Sequence, residues 1–127
     1  MAKGLNKVTL IGNLGKDPEV KETTTGKIAK FTLATNESYR SKNGDLVDHV
    51  EWHNITIWNK LADIAEKYLK KGDQVYLEGK IRRNDYEVDG EKRISYEIYV
   101  DQLLMLGGRF SENDSFQNEN LDVADSI

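Results

Sequence analysis

Five stretches of the chain alternate apolar and polar side chains with a period of two, and only one repeats its apolar residues at helical spacing. Period two is the pattern of a strand with one face on a core and one in water, because successive side chains leave opposite sides of the backbone. Val8 and Leu10 alternate with Lys7 and Thr9, and Ala29, Phe31 and Leu33 alternate with Lys30 and Thr32. A third strand runs over 50–58. Val75, Leu77, Gly79 and Ile81 alternate with Tyr76, Glu78, Lys80 and Arg82, and Ile94, Tyr96, Ile98 and Val100 with Ser95, Glu97 and Tyr99. Gly12 and Gly15 mark bulges or bends in the first strand. Leu61, Ile64, Ala65, Tyr68 and Leu69 mark the helix. Asn59 is expected to cap it, with Lys70 and Lys71 at its negative end and Gly72 as its left-handed stop. Residues 39–48 read as a hydrophilic loop turning at Asn43-Gly44, and Asp89-Gly90 as a hairpin tip. The order strand, strand, strand, helix, strand, strand predicts an all-β fold, a five-stranded Greek-key OB barrel with one helix between strands three and four.

A chain of 127 residues fits one domain and can bury a core without metal or disulfide support. It has no cysteine, which excludes disulfides, a thiolate nucleophile and cysteine-ligated zinc, and suits a reducing cytoplasm. His49 and His53 are the only histidines, too few for a histidine-based metal site. No metal, cofactor or catalytic residue is therefore expected. The start of the chain carries no apolar run, and no stretch approaches the ~18 apolar residues of a spanning helix. A soluble, cytoplasmic protein without a membrane partner is expected. The net charge of −4 is unevenly placed. Glu112, Asp114, Glu119, Asp122 and Asp125 sit in 111–127 without a lysine or arginine, while residues 1–110 hold 18 basic and 17 acidic side chains. This divides the chain into a nearly neutral domain, 1–110, and an acidic tail, 111–127, too poor in apolar residues to bury and expected to be disordered.

The third strand carries the chemistry. Ile55 and Ile57 should face the core, so Trp52, Asn54, Thr56 and Trp58 share the other side, with the two indoles roughly 20 Å apart. A loop or another subunit could cover such rings. Two on one polar face, beside strands bearing outward Lys30, Lys80 and Arg82, favour a surface that stacks bases and neutralises phosphates. Tyr39 follows strand two beside Arg40 and Lys42, and Tyr86 follows Arg82-Arg83 on the last hairpin. Loop tyrosines are often only half-packed, but a ring flanked by cations is what a single-strand groove needs.

Several motifs, in order over residues 4–109, resemble the bacterial single-stranded DNA-binding protein (SSB) family. They are Asn6-Lys7-Val8 with the run Gly12 to Val20, the run Thr32 to Tyr39, Glu51-Trp52-His53, Lys60-Leu61-Ala62, the run Tyr68 to Gly72, the run Val75 to Gly79, and Met105 to Arg109. The resemblance implies an OB-fold homotetramer that wraps single-stranded DNA without sequence preference, in replication, recombination and repair at the nucleoid. It implies stacking at Tyr39, Trp52, Trp58 and Tyr86, with tyrosine at the first and last where many members have tryptophan, and Trp58 where many have phenylalanine. It places subunit pairing on the first strand, with Lys7, Thr9 and Ile11 outward, and His53 near the subunit contact, although a packed strand histidine reads equally well. The end, Asp122-Val123-Ala124-Asp125-Ser126-Ile127, departs from the family's Pro-Phe tip, which puts recruitment of replication and repair proteins in doubt.

Three other readings compete. An enzyme is disfavoured because Glu51 is the one acid beside the proposed site, and one acid cannot build a two-metal nuclease centre. OB barrels also bind oligosaccharide or protein, ligands that do not need flanking lysine and arginine. An RNA-binding OB protein would show the same surface.

Overall fold

Two long antiparallel hairpins make most of the molecule. The computed structural model describes residues 2–107, as β1 (Val8–Leu14), β2 (Glu19–Thr23), β3 (Gly26–Arg40), β4 (Leu46–Trp58), α1 (Asn59–Tyr68), β5 (Gln74–Val88) and β6 (Glu91–Gly107). β3 and β4 zip from Ile28↔Trp58 to Arg40↔Leu46, and β5 and β6 from Gln74↔Gly107 to Val88↔Glu91. The hairpins meet through a parallel pairing of β4 with β6 at Ile55↔Ile98 and Thr56↔Tyr99. β1 closes the other side, antiparallel to β5 over Val8–Asn13 and to β3 at Asn13 and Leu14. The result is the closed five-stranded barrel expected from the order of elements, with α1 between the third and fourth barrel strands. β2 is an addition, paired along the outer edge of β3.

The alternation sorts the core as the sequence predicts where the strands form the wall. Ala29, Phe31 and Leu33 of β3, Ile55 and Ile57 of β4, Val75 and Leu77 of β5, and Ile98 and Val100 of β6 are buried together with Leu14, Leu69 and the helix residues Ala62 and Ala65. Beyond the wall the same parity is exposed: Ile81, Ile94 and Tyr96 lie in solvent because the β5–β6 hairpin projects past the core. A register shift between Glu78 and Gly79 marks where β5 leaves the wall.

Several local expectations are corrected. Of residues 39–48 only 41–45 form the turn, while 39–40 and 46–48 are paired strand, and Tyr39 and Tyr86 lie within β3 and β5 rather than in loops. The turn at 41–45 does close at Gly44, whose N–H donates to the Ser41 carbonyl at 2.9 Å. Asn59 is not the cap of α1. It is the first helical residue, in the left-handed region at φ 55°, its side chain lies against Gly26, and Trp58 at the cap position makes no side-chain cap bond. The helix ends at Tyr68, where the Leu69 N–H donates to the Ala65 carbonyl. Lys67, not Lys70 or Lys71, occupies its last turn. Gly72 is left-handed, at φ 93°, but in the following turn, where its N–H donates to the Leu14 carbonyl. At the β5–β6 tip, Asp89 and Gly90 both have positive φ, the backbone of the two-residue turn expected there. The sequence's tail, 111–127, lies outside the described residues.

Lys27 fastens the helix to the sheet. Its ammonium lies 2.7 Å from Asp63, 2.8 Å from Glu66 and 3.8 Å from Glu22, joining α1 and β2 to β3. The hydrogen bonds to Asp63 and Glu66 hold the ammonium well above the usual lysine range, and the Asp63 carboxyl below its own.

Candidate functional site

The outward side of β4 lies at the centre of one continuous surface. Trp52, Asn54 and Thr56 stand opposite Ala34, Thr32 and Lys30 of β3. On the other flank Thr56 meets Tyr99 of β6, and beyond it Lys80 and Arg82 of β5 stand opposite Tyr99 and Glu97. Strand alternation continues this face along the projecting hairpins to Tyr86, opposite Arg93, and to Arg40.

The two tryptophans are held differently. Trp58 is half-buried and meets Tyr99 edge to face, centroids 4.5 Å apart and planes at 76°. The Arg82 guanidinium carbon lies 5.8 Å from the Tyr99 centroid on the same stack. Trp52 is 57% exposed and rests over the backbone of β1's end. A Cβ on Gly15 would come within 3.0 Å of ring carbons of Trp52 and of Thr32 Oγ1, so glycine is what lets the indole lie there. One ring is a packed wall and the other a free plate, and bases can stack on either.

Between them a carboxylate is fixed. Thr56 Oγ1 donates to Glu97 Oε1, Asn84 Nδ2 donates to Oε2, and the Lys30 ammonium lies 3.5 Å from Oε1. Burial pushes the Glu97 carboxyl up, but the bonds from Thr56 and Asn84 and the charge of Lys30 outweigh it and hold it below the ordinary carboxylate range. Thr56 is 2% exposed because this network covers it. Glu97 borders a cleft of about 260 Å³ that Lys16, Glu19, Lys30, Asn54 and Ser95 also line.

The structure thus brings Lys30, Arg40, Trp52, Trp58, Lys80, Arg82 and Tyr86 to one face. It does not bring all of the sequence's candidates there. By alternation Tyr39, opposite Val47, belongs to the reverse side of its hairpin, where it is 55% exposed. Arg83, opposite Tyr96, also takes the reverse side of its hairpin and pairs with Asp85 at 3.0 Å. The Arg40 guanidinium donates to the Gly44 carbonyl at 2.9 Å and so fastens its own turn. Sequence reasoning placed Thr56 on this face but missed Gly15, Asn84, Glu97 and Tyr99 as parts of the site. The outward parity of Glu97 and Tyr99 was the available signal; their partners on β4 and β5 are visible only once the strands are ordered.

The residues expected at a subunit contact lie elsewhere. Thr9 and Ile11 are exposed along β1, as is Lys7 just before it, which pairs with Glu78 at 3.6 Å. Among the described residues β1 from Val8 to Gly12 pairs with β5 alone, which leaves its second edge open. His53 is half-buried, its Nε2 3.0 Å from Thr35 Oγ1. Among the described residues no three His, Asp or Glu side chains gather as a metal site. No helix there is long and apolar enough to cross a membrane.

Comparison with known proteins converges on one group. The model of the single-strand binding protein family matches residues 5–106. Single-stranded DNA-binding protein 1 of Chlorobaculum tepidum is 47% identical over 114 residues, 87% of this chain and 70% of that protein. The single-stranded DNA-binding protein of Neisseria meningitidis is 50% identical over 107 residues, 83% of this chain and 62% of that protein, so the match spans less than two thirds of its length. A solved structure described as Plasmodium falciparum SSB in complex with ssDNA superposes with a TM-score of 0.78 at 32% identity, covering 84% of this chain and 98% of that one.

Proposed function

The chain belongs to the single-strand binding protein family, and from that premise we propose that it binds single-stranded DNA without reading its sequence, a binding activity and not a catalytic one. The observation that carries this reading is the outer face of β4, where Trp52 and Trp58 lie among Lys30, Lys80 and Arg82. Every base has a flat face, so stacking on a ring gains affinity from any sequence, while cations alongside hold the phosphates. Trp52, Trp58 and Tyr86 supply the stacking surfaces; Lys30, Arg40, Lys80 and Arg82 supply the cations. Tyr39 and Arg83, on the reverse sides of their hairpins, serve a strand that has passed round the hairpin edges.

Wrapping needs more surface than one barrel offers. The protein assembles as a homotetramer, with the open edge of β1, exposed Ile11, Lys7 and Thr9, and His53 at subunit contacts. The open edge supports this, because unpaired strand edges recruit another strand. Residues 1–110 form the DNA-binding domain and 111–127 an acidic tail. The protein works in the cytoplasm, at the nucleoid, in replication, recombination and repair.

The test is a titration with poly-dT at several salt concentrations while tryptophan emission is followed. Quenching that weakens as salt rises, with poor competition from duplex DNA, is expected. Emission unchanged at saturating oligomer in low salt would end the reading.

A further inference from the structure

Opposite charges are balanced in the cleft at the centre of the binding face. Lys16 and Lys30 line it, and so do Glu19 and Glu97. Lys16 lies 3.2 Å from Glu19 and Lys30 lies 3.5 Å from Glu97. A phosphate entering the cleft would find each ammonium already matched.

The two members of the Lys30–Glu97 pair differ in freedom. The Lys30 side chain is 56% exposed and Glu97 is 14% exposed. Thr56 and Asn84 donate to different oxygens of Glu97, from strands on either side of β6. The carboxylate therefore cannot swing aside to make room for an incoming anion, and its charge is less screened by salt than those on the open surface. A carboxylate accepts hydrogen bonds and donates none, so what it can receive from a DNA strand is a base N–H, such as an amino group or the N3–H of thymine.

We propose that Glu97 acts as a selector within the single-strand site: a fixed carboxylate that keeps phosphates out of the central cleft and holds Lys30 neutralised. The strand's backbone then runs outside the cleft, along Lys80 and Arg82, and an uncharged base edge lies over Glu97. The inference rests on the single-strand reading above, goes beyond it by assigning the path of the backbone, and revises it at one residue: Lys30, counted there among the cations, holds Glu97 and not a phosphate. It separates two lysines of the same face. Lys80 makes no ion pair among the described residues, so it is free to meet a phosphate, whereas Lys30 is already committed.

The salt dependence of poly-dT binding tests this on the full chain. Removing one cation that neutralises a phosphate of a single strand lowers the log–log slope by about 0.7. Lys80→Ala should lower the slope by about that much and Lys30→Ala by much less. Glu97→Gln should tighten binding several-fold at low salt and steepen the slope by about 0.7. Lys30→Ala added to Glu97→Gln should cancel that gain. A folded Glu97→Gln variant with the wild-type slope would overturn the proposal. So would Lys30→Ala lowering the slope as much as Lys80→Ala, a comparison that holds even where Glu97→Gln fails to fold. Absence of poly-dT binding by the wild-type chain is a separate outcome: it removes the function itself, and the selector with it.

Discussion

The barrel wall and the projecting ends of the hairpins carry the same two-residue alternation and put it to different use. In the wall, Val75 and Leu77 of β5 and Ile98 and Val100 of β6 are buried. A few residues along the same strands, with the same parity, Ile81, Ile94 and Tyr96 are exposed. Backbone pairing resumes after the register shift between Glu78 and Gly79 and runs on through Arg83↔Tyr96 to Val88↔Glu91. What changes is whether a second layer stands opposite. The wall is held by burial and the ribbons by their ladder of hydrogen bonds, which leaves the ribbons' surfaces free to take a ligand.

The wall should be far the more sensitive of the two. Leu77 is fully buried, so Leu77→Ala should destabilise by about 2–5 kcal/mol, through reduced burial and the cavity left behind. Chemical denaturation measures this directly, and a loss below ~1 kcal/mol would erase the distinction between the regions.

The tryptophans carry the same contrast into binding. Trp52→Ala and Trp58→Ala should each weaken poly-dT binding by about 1–3 kcal/mol, the general figure for base–aromatic stacking in proteins of this kind. Only Trp58→Ala should also lower the melting temperature, because it alone gives up an edge-to-face partner worth about 0.5–1.5 kcal/mol. Equal melting temperatures for the two variants would show that Trp58 is as loosely held as Trp52.

A smaller effect is expected in acid. Folding holds the Glu97 carboxyl below its ordinary value of 4.5. The stability this contributes is complete above that value and is lost as pH falls through the lower folded-state pKa. Glu97→Gln should therefore show a shallower loss of stability below about pH 4.5 than the wild type. Superimposable acid melts would mean that the network adds nothing to folding.

The smallest effect belongs to the ribbon. Ile81→Ala, despite removing as much side chain as a core truncation, should change stability by less than ~0.5 kcal/mol in the isolated protein. A larger loss in a concentration-dependent melt would point to a subunit covering that face.

What could be read from the sequence followed the same division. Alternation located the core of β3, β4, β5 and β6 because burial leaves a chemical trace in apolar side chains. It stopped β3 near Asn36 and began β4 near Val50, because Glu37–Arg40 and Leu46–His49 pair without burying anything. β2 escaped for a related reason: of Glu19–Thr23 only Val20 turns toward the core. The Asp89-Gly90 tip was legible since its left-handed backbone demands particular residues. Asn59 misled because its type suits a cap, while the neighbouring Gly26 gave its side chain another place. Trp52 and Trp58 were conspicuous as large rings on a polar face. Glu97 was not, since an outward glutamate is ordinary until Thr56, Asn84 and Lys30 are brought to it from three other strands.

The parallel pairing of β4 with β6 occupies two register positions and joins Ile55 to Ile98 across 43 residues of chain. Each hairpin can zip locally within microseconds, whereas this joint must wait for two finished ribbons to find each other. With the equally short pairing of β1 to β3, it is where the barrel has little ladder to lose when it breathes. The contacts that straddle it, Thr56 to Glu97 and Trp58 to Tyr99, are those of the binding face. In the proposed binding mode a strand of DNA laid over them acts as a suture, binding most tightly to the closed barrel and drawing shut a joint that only two register positions hold.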